Sequence, residues 1–298
     1  TNPLYTAREL EYQLKDCHAT FIICLDILLP SVNKVFSHTS LQHVIVTEIK
    51  SYLPFPKNII YPFIQKRQYK QRVVVENDNT HNWEQVMKET SLEYTVVPID
   101  PSTDIALIQY TGGTTGTPKG AILTHANLIS NVQMCKAWLY KTEDGKEVIL
   151  GVLPFFHVYG MTTVMNLSIM IGGKMVLLPR FDPETVLKMI EKQKVTLFPG
   201  APTIYISLLN HLDVKKFNLS SVEACISGSA PLPKEVQEQF EDVTGGRLVE
   251  GYGLTESSPV THANFLWSKR VNGSIGLPGP DPDAKIVKPR TLEELQPG

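Results

Sequence analysis

Residues 111–120 read Thr-Gly-Gly-Thr-Thr-Gly-Thr-Pro-Lys-Gly, the densest concentration of anion-binding chemistry in the chain. Gly112, Gly113 and Gly116 let backbone N–H groups approach an anion closely. Thr111, Thr114, Thr115 and Thr117 add hydroxyls, and Lys119 supplies a point charge. The spacing is not that of the P-loop NTPases, whose lysine follows a glycine and precedes Ser or Thr; Pro118 and Gly120 hold those places here. A flexible glycine-rich turn is the alternative for any short glycine motif, but this combination within ten residues favours a phosphate cradle.

Such a loop needs rigid elements behind it. Ile105 to Tyr110 reads as a buried strand running into it. Upstream, Thr6-Ala-Arg-Glu9 is a capping box opening a helix towards Lys15, and Thr20 to Leu25 and His43 to Thr47 read as buried strands. From Val148 the rhythm is regular: strand to Leu153, helix from about Met161, strand at Met175 to Leu178. Asp182 and Pro183 then open a helix to about Lys194 as N-cap and N1. Strands at Val195 to Phe198, Val222 to Ser227 and Arg247 to Tyr252 alternate with helices at Pro202 to Leu212 and Pro233 to Val243. The fold class is therefore α/β, wound mixed or parallel sheets with flanking helices.

The composition narrows the function. Among 298 residues, 42% are apolar, enough for a large core, and 28 basic against 30 acidic residues leave a formal charge of −2. No global basic field exists, so a nucleic-acid partner is not expected. Cys17, Cys24, Cys135 and Cys225 are scattered without metal-site spacing, which fits a reduced, cytoplasmic setting. Val158 to Gly173 is too short and too polar for a membrane span and reads as a buried helix leading into a strand. Between Lys50 and Arg72 lie six basic residues, no acidic one, and five interleaved aromatics. A solvated face and contact with an anionic membrane surface are the two readings of this stretch, residues 50–72.

At the threonine-rich loop the sequence resembles the adenylate-forming enzymes, the acyl-CoA ligases, luciferases and peptide-synthetase adenylation domains. Downstream segments match in order: Pro154-Phe-Phe-His157-Val-Tyr159-Gly160, Gly228-Ser229-Ala230-Pro-Leu, Glu250-Gly251-Tyr252-Gly253-Leu-Thr255-Glu256, and Gly273-Ser-Ile-Gly276-Leu-Pro. The resemblance covers nearly the whole chain and is nearest to bacterial long-chain fatty acid CoA ligases.

It implies the large domain of such an enzyme, with 1–260 its sheet-and-helix portion, 261–298 the start of a small β-rich subdomain, and a mobile C-terminal domain absent. It implies ATP, Mg²⁺ and CoA, and attack of a fatty acid carboxylate on the α-phosphorus before thioester formation. Lys119, Thr255 and Glu256 take catalytic roles. The nucleotide falls to Thr111–Gly116, Lys119, Gly228, Ser229, Ala230, Glu250–Gly253 and Thr255, and the metal to Thr111 and Glu256. His157, Tyr159, Gly160 and Gly276 fall to the acyl pocket. The residues alone also allow Glu256 as a first-turn acid, Tyr252 as a core aromatic and His157 as a satisfied core histidine. Glu250 departs from the Gln or Asn that many relatives carry there.

Amino-acid-activating relatives place an Asp near the His157 segment; its absence here favours a substrate without an ammonium group. The chain is expected to be a fragment, inactive or weakly active alone. Fatty acid, ATP and CoA are its expected small-molecule partners, and a homodimer and contact of 50–72 with the inner face of the membrane stay open. The alternatives are an aromatic-acid CoA ligase, a luciferase-like adenylating enzyme, or a non-catalytic acyl- or nucleotide-binding relative.

Overall fold

The computed structural model describes residues 1–69, 78–91, 93–112 and 117–296. They form two compact units, Thr1–Pro98 and Ile99–Gly298. The expected limit at 260/261 falls where the sheet of the second unit changes from parallel to antiparallel pairing.

In the first unit, helix α1 (Ala7–Asp16) starts at Thr6, whose side chain accepts from Glu9 N–H while Glu9 reaches back to Thr6 N–H, the expected capping box. Strand β1 (Phe21–Leu25) is followed by α2 (Leu29–Val35), β2 (His43–Thr47), α3 (Lys57–Tyr69), β3 (Thr80–Asn82) and α4 (Trp83–Glu89). The three strands make a parallel sheet in the order β1-β2-β3. Leu14, Val32, Val35, Val44 and Val46 are the centre of its core. β1 is not buried as expected: alternation turns Phe21 and Ile23 outward, 57% and 58% exposed.

The second unit opens with β4 (Ile105–Thr111) and β5 (Lys119–Thr124), an antiparallel pair in which Thr111 lies opposite Lys119. β4 is half-buried rather than buried, because only one face of a two-stranded ribbon can be covered. Thr124 caps α5 (His125–Trp138). There follow β6 (Val148–Gly151), α6 (Val158–Gly160), a wide π turn over Met161–Asn166, α7 (Leu167–Met170) and β7 (Lys174–Leu177). After these come α8 (Pro183–Gln193), β8 (Leu197–Gly200), α9 (Pro202–Leu209), β9 (Ala224–Ser227), α10 (Lys234–Thr244), β10 (Arg247–Gly253), β11 (Val260–Ala263) and β12 (Leu277–Pro278).

Their sheet runs β12-β11-β10-β9-β8-β6-β7, parallel from β10 to β7 and antiparallel at β10-β11-β12. Alternation along its strands sends Leu150, Phe198, Cys225 and Leu248 into one core and Ile149, Leu197, Ala224 and Val249 into another. Both faces are therefore covered, the first with side chains from α8, α9 and α10 and the second with side chains from α5 and α7. Each fully buried Leu, Ile or Phe contributes about 1.5–3 kcal/mol.

Several boundaries differ from the sequence expectation: β6 ends at Gly151 and not Leu153, α9 at Leu209 and not Leu212, and β9 starts at Ala224 and not Val222. Two further ones have a local cause. β8 starts at Leu197, not Val195. Lys194 ends α8 in the left-handed region (φ 55°), and Val195 N–H then donates to Ile190 O at 3.2 Å, so Val195 closes the helix. The helix expected from Met161 starts at Val158, because His157 caps it through Nδ1 accepting from Tyr159 N–H at 3.2 Å.

Candidate active site

A cleft of about 540 Å³ opens at the carboxyl ends of β9 and β10, where wound parallel sheets place their ligands. It lies wholly within the second unit. The chain leaves β9 through Gly228, which packs on the Tyr159 ring, and turns at Ser229 with φ at 70°. It leaves β10 through Gly251, Tyr252 and Gly253 into the short turn Thr255–Ser257. Gly253 must be glycine, since a Cβ there would collide with the Pro259 backbone.

Thr111, Gly112 and Lys119 reach the cleft from the β4-β5 pair. That pair is tied to the segment preceding α6 by Gln109 Nε2 donating to Phe156 O at 2.9 Å, and by packing of Leu123 with Val158 and Met161. Of the expected site residues, Thr111, Gly112, Lys119, His157, Tyr159, Gly228, Ser229, Gly251, Tyr252, Gly253, Thr255 and Glu256 line this one cleft. Gly113, Thr114, Thr115 and Gly116 lie outside the described residues.

Four residues sit elsewhere. Gly160 packs α6 against Leu153 and Pro154, where a Cβ would meet Pro154 O at 2.6 Å. Gly276, with φ at 89°, lies against the backbone of Ala263 and Asn264. Glu250 is paired inside the sheet with Ser227, and its carbonyl accepts from Asn264 N–H at 3.2 Å. Ala230 is exposed in the bend after β9 and off the cleft wall. At Gly160 and Gly276 the absence of a side chain serves close packing.

Two charges of opposite sign face the cleft. Among the described residues, neither the Lys119 ammonium nor the Glu256 carboxylate has an ion-pair or hydrogen-bond partner, although both line the same space. Thr111 Oγ1 approaches Lys119 O at only 3.5 Å, so its lone pairs remain available. No cluster of three or more His, Cys, Asp or Glu is found among the described residues. A divalent ion here would therefore depend on one carboxylate, a hydroxyl and the oxygens of a bound phosphate, the coordination Mg²⁺ commonly takes.

His157 opens onto the cleft, yet the protein around its ring desolvates it enough to hold its pKa below the ordinary imidazole value. With Nδ1 accepting from Tyr159 N–H, the neutral ring carries its proton on Nε2. The Tyr159 hydroxyl is fully committed: it donates to Ile226 O at 2.8 Å, with Gly200 O at 3.0 Å as the other acceptor, and burial raises its pKa. It is a platform, not an acid.

Asn131 was missed by sequence reasoning. It is buried on α5, accepts from Val260 N–H at 3.2 Å, and donates to Val260 O at 2.8 Å and Ser257 O at 3.4 Å. It thereby fixes the strand start that follows Glu256. A polar residue on the helix side that carries Leu128, Val132 and Cys135 was the available signal.

Beside the cleft and sharing Ile226 and Val260 with it runs a narrow apolar cavity of about 60 Å³, bounded by Met134, Cys135, Trp138, Leu167, Ala263 and Gly279 among others. Burial pushes the Cys135 thiol up to about 12 and raises that of Cys225, so both stay uncharged and suit an apolar lining.

A wound α/β sheet whose strand ends meet Thr111, Gly112, Lys119 and Glu256 in one cleft, the lysine and glutamate without partners among the described residues, defines a nucleotide-binding fold. The chain belongs to the AMP-binding enzyme family, whose model matches residues 1–298. It is 54% identical over 301 residues to the long-chain-fatty-acid--CoA ligase of Bacillus subtilis (strain 168), covering 100% of this chain and 53% of that protein. It is 36% identical to the enzyme of the same description from Yersinia pestis, covering 96% of this chain and 51% of that one. Its fold matches the crystal structure of a long-chain-fatty-acid-CoA ligase (FadD1) from Archaeoglobus fulgidus with a TM-score of 0.80, at 25% identity, over 99% of this chain and 55% of that one. The chain thus spans about half the length of the curated relatives it matches.

Proposed function

We propose that this chain is the nucleotide- and acyl-binding portion of an ATP-dependent long-chain fatty acid CoA ligase. The observation that carries the reading is the pair of opposite charges, Lys119 and Glu256, facing one cleft beside an apolar cavity.

In the reaction proposed, a carboxylate oxygen of the fatty acid attacks the α-phosphorus of ATP and pyrophosphate leaves. The thiolate of CoA then opens the acyl-adenylate, forming the thioester and releasing AMP. Two anions must be brought together, so the protein's task is charge compensation and alignment. Lys119, with the backbone of the threonine-glycine loop, holds the departing phosphates. Gly228, Ser229 and the Gly251–Gly253 backbone shape the wall against which the nucleoside lies, and Tyr252 offers its ring there. Thr111 and Glu256 would hold Mg²⁺, which neutralises phosphate charge when bound.

Neutral His157 and the Tyr159 ring form the wall between the nucleotide and the acid. The alkyl chain enters the cavity past Ile226 and Val260, where Met134 and neighbouring side chains adapt to its length. An adenylating reaction together with the four free thiols fits a cytoplasmic setting. Self-association as a homodimer stays a separate question, answered by sedimentation.

The test is acid-dependent pyrophosphate exchange by the intact parent protein over a panel of carboxylic acids. Long-chain fatty acids are expected to lead, and Lys119→Ala to lower exchange on the order of a hundredfold. A hydroxycinnamate that outpaces every fatty acid would overturn the substrate class. Exchange unchanged by Lys119→Ala would reduce the cleft to a binding site.

A further inference from the structure

Two imidazoles converge on the outer face of the first unit's sheet. Val44 and Val46 of β2 are buried in its core, so alternation turns His43 and Ile45 the other way. In β3, Thr80 is buried and His81 turns outward with them. The two strands are parallel with Ile45 opposite His81, which sets His43 and His81 diagonally across the pair. Their nitrogens meet: His43 Nδ1 lies 3.1 Å from His81 Nε2, and the ring centroids are 5.2 Å apart.

The arrangement is held from both sides. Phe21 of β1, opposite His43 in register, stacks on its ring at 4.9 Å and 25°. Asn79, just before β3, donates through Nδ2 to Gln42 O at 2.8 Å, and its carbonyl accepts from Val44 N–H at 2.8 Å. Both histidines are half-buried, so the rings are supported and still reachable from solvent.

A single shared proton satisfies the facing nitrogens, and it need not stay between the rings. Among the described residues neither His43 Nε2 nor His81 Nδ1 has a hydrogen-bond partner. A neutral ring can therefore carry its proton on that outer nitrogen and turn a lone pair inward. Two nitrogens bound to one Zn²⁺ at about 2.0–2.1 Å in a tetrahedral arrangement stand about 3.3 Å apart, close to the 3.1 Å separation here. Imidazole suits zinc, copper and nickel rather than Mg²⁺ or Ca²⁺. Among the described residues no cluster of three or more His, Cys, Asp or Glu is found, so water would fill the remaining positions.

We propose that His43 and His81 form a two-imidazole chelate for Zn²⁺ that clips the short edge strand β3 to β2. The site belongs to the first unit alone and stands whether or not the ligase reading does.

Calorimetric titration of Zn²⁺ into the untagged full chain tests it. Stoichiometric binding is expected, with a rise in the thermal midpoint because the folded state is the one that holds the ion. His43→Gln and His81→Gln each keep a hydrogen-bonding side chain in place and remove the ring. Either should weaken binding at least about tenfold while circular dichroism stays unchanged. His38→Gln, at an exposed position, should bind as the unsubstituted chain does. In the unsubstituted chain, Zn²⁺ should protect His43 and His81 from diethyl pyrocarbonate, read by mass spectrometry. Three results would overturn the proposal: no stoichiometric binding, binding unchanged by both substitutions, or modification of both rings at the same rate with and without Zn²⁺.

Discussion

His157 shows how one side chain reports its surroundings. Its ring is desolvated by the wall of the cleft, so the folded protein takes up its proton at a lower pH than the unfolded chain does. Below about pH 6.5 the unfolded state therefore binds more protons, and this residue's contribution to stability, present above that pH, is lost as pH falls through its depressed pKa. Replacing His157 with Asn is expected to flatten the fall of the denaturation midpoint between about pH 7 and pH 5. A slope identical to that of the unsubstituted protein would show that the ring titrates normally. At this scale the sequence was informative about which residues carry charge and poor about which way they face. Lys119 and Glu256 stand out by type and motif and line the cleft, whereas Glu250 and Gly276 share motifs with site residues without lining it, the backbone of the first being paired in the sheet and the second closely packed.

At the scale of elements, α5 holds the glutamate-bearing turn in place. Its Asn131 makes three hydrogen bonds to the backbone of Ser257 and Val260 from a buried position. Asn131→Leu is expected to leave those backbone groups unpaired and to cost about 2–4 kcal/mol in denaturant unfolding. It should also weaken nucleotide binding, because the turn after Glu256 loses its tether. A variant with unchanged stability and unchanged affinity would show the tether to be dispensable. The elements themselves were largely legible: α1, β2, α8, α10 and β10 lie close to their expected limits, because capping residues and hydrophobic periodicity are local signals. β5 was not legible. Its residues follow a turn-rich loop, and their strand state is set by pairing with β4.

At the scale of the molecule, the two units meet in sequence at a segment without regular structure. Residues 93–100 carry no helix or strand, and Tyr94, Val96 and Val97 are 83%, 74% and 71% exposed. Chymotrypsin is expected to cut after Tyr94 and release a stable C-terminal fragment. Every residue lining the cleft belongs to the second unit, which has its own buried cores, so that fragment should keep any nucleotide-dependent thermal shift. Mass spectrometry of the earliest products checks this; a first cut between Ile105 and Val260 would contradict it.

The amino-acid order alone determined the α/β class, most helix starts, and the phosphate-binding character of residues 111–120, since each rests on side-chain types a few positions apart. Only the tertiary structure decided that Lys119 and Glu256 share a cleft, that β11 and β12 extend the parallel sheet, and that four motif residues are not part of the cleft lining. The physical reason is that sheet order and strand-end convergence arise from contacts between residues far apart in the chain, and such contacts leave no local periodicity to read.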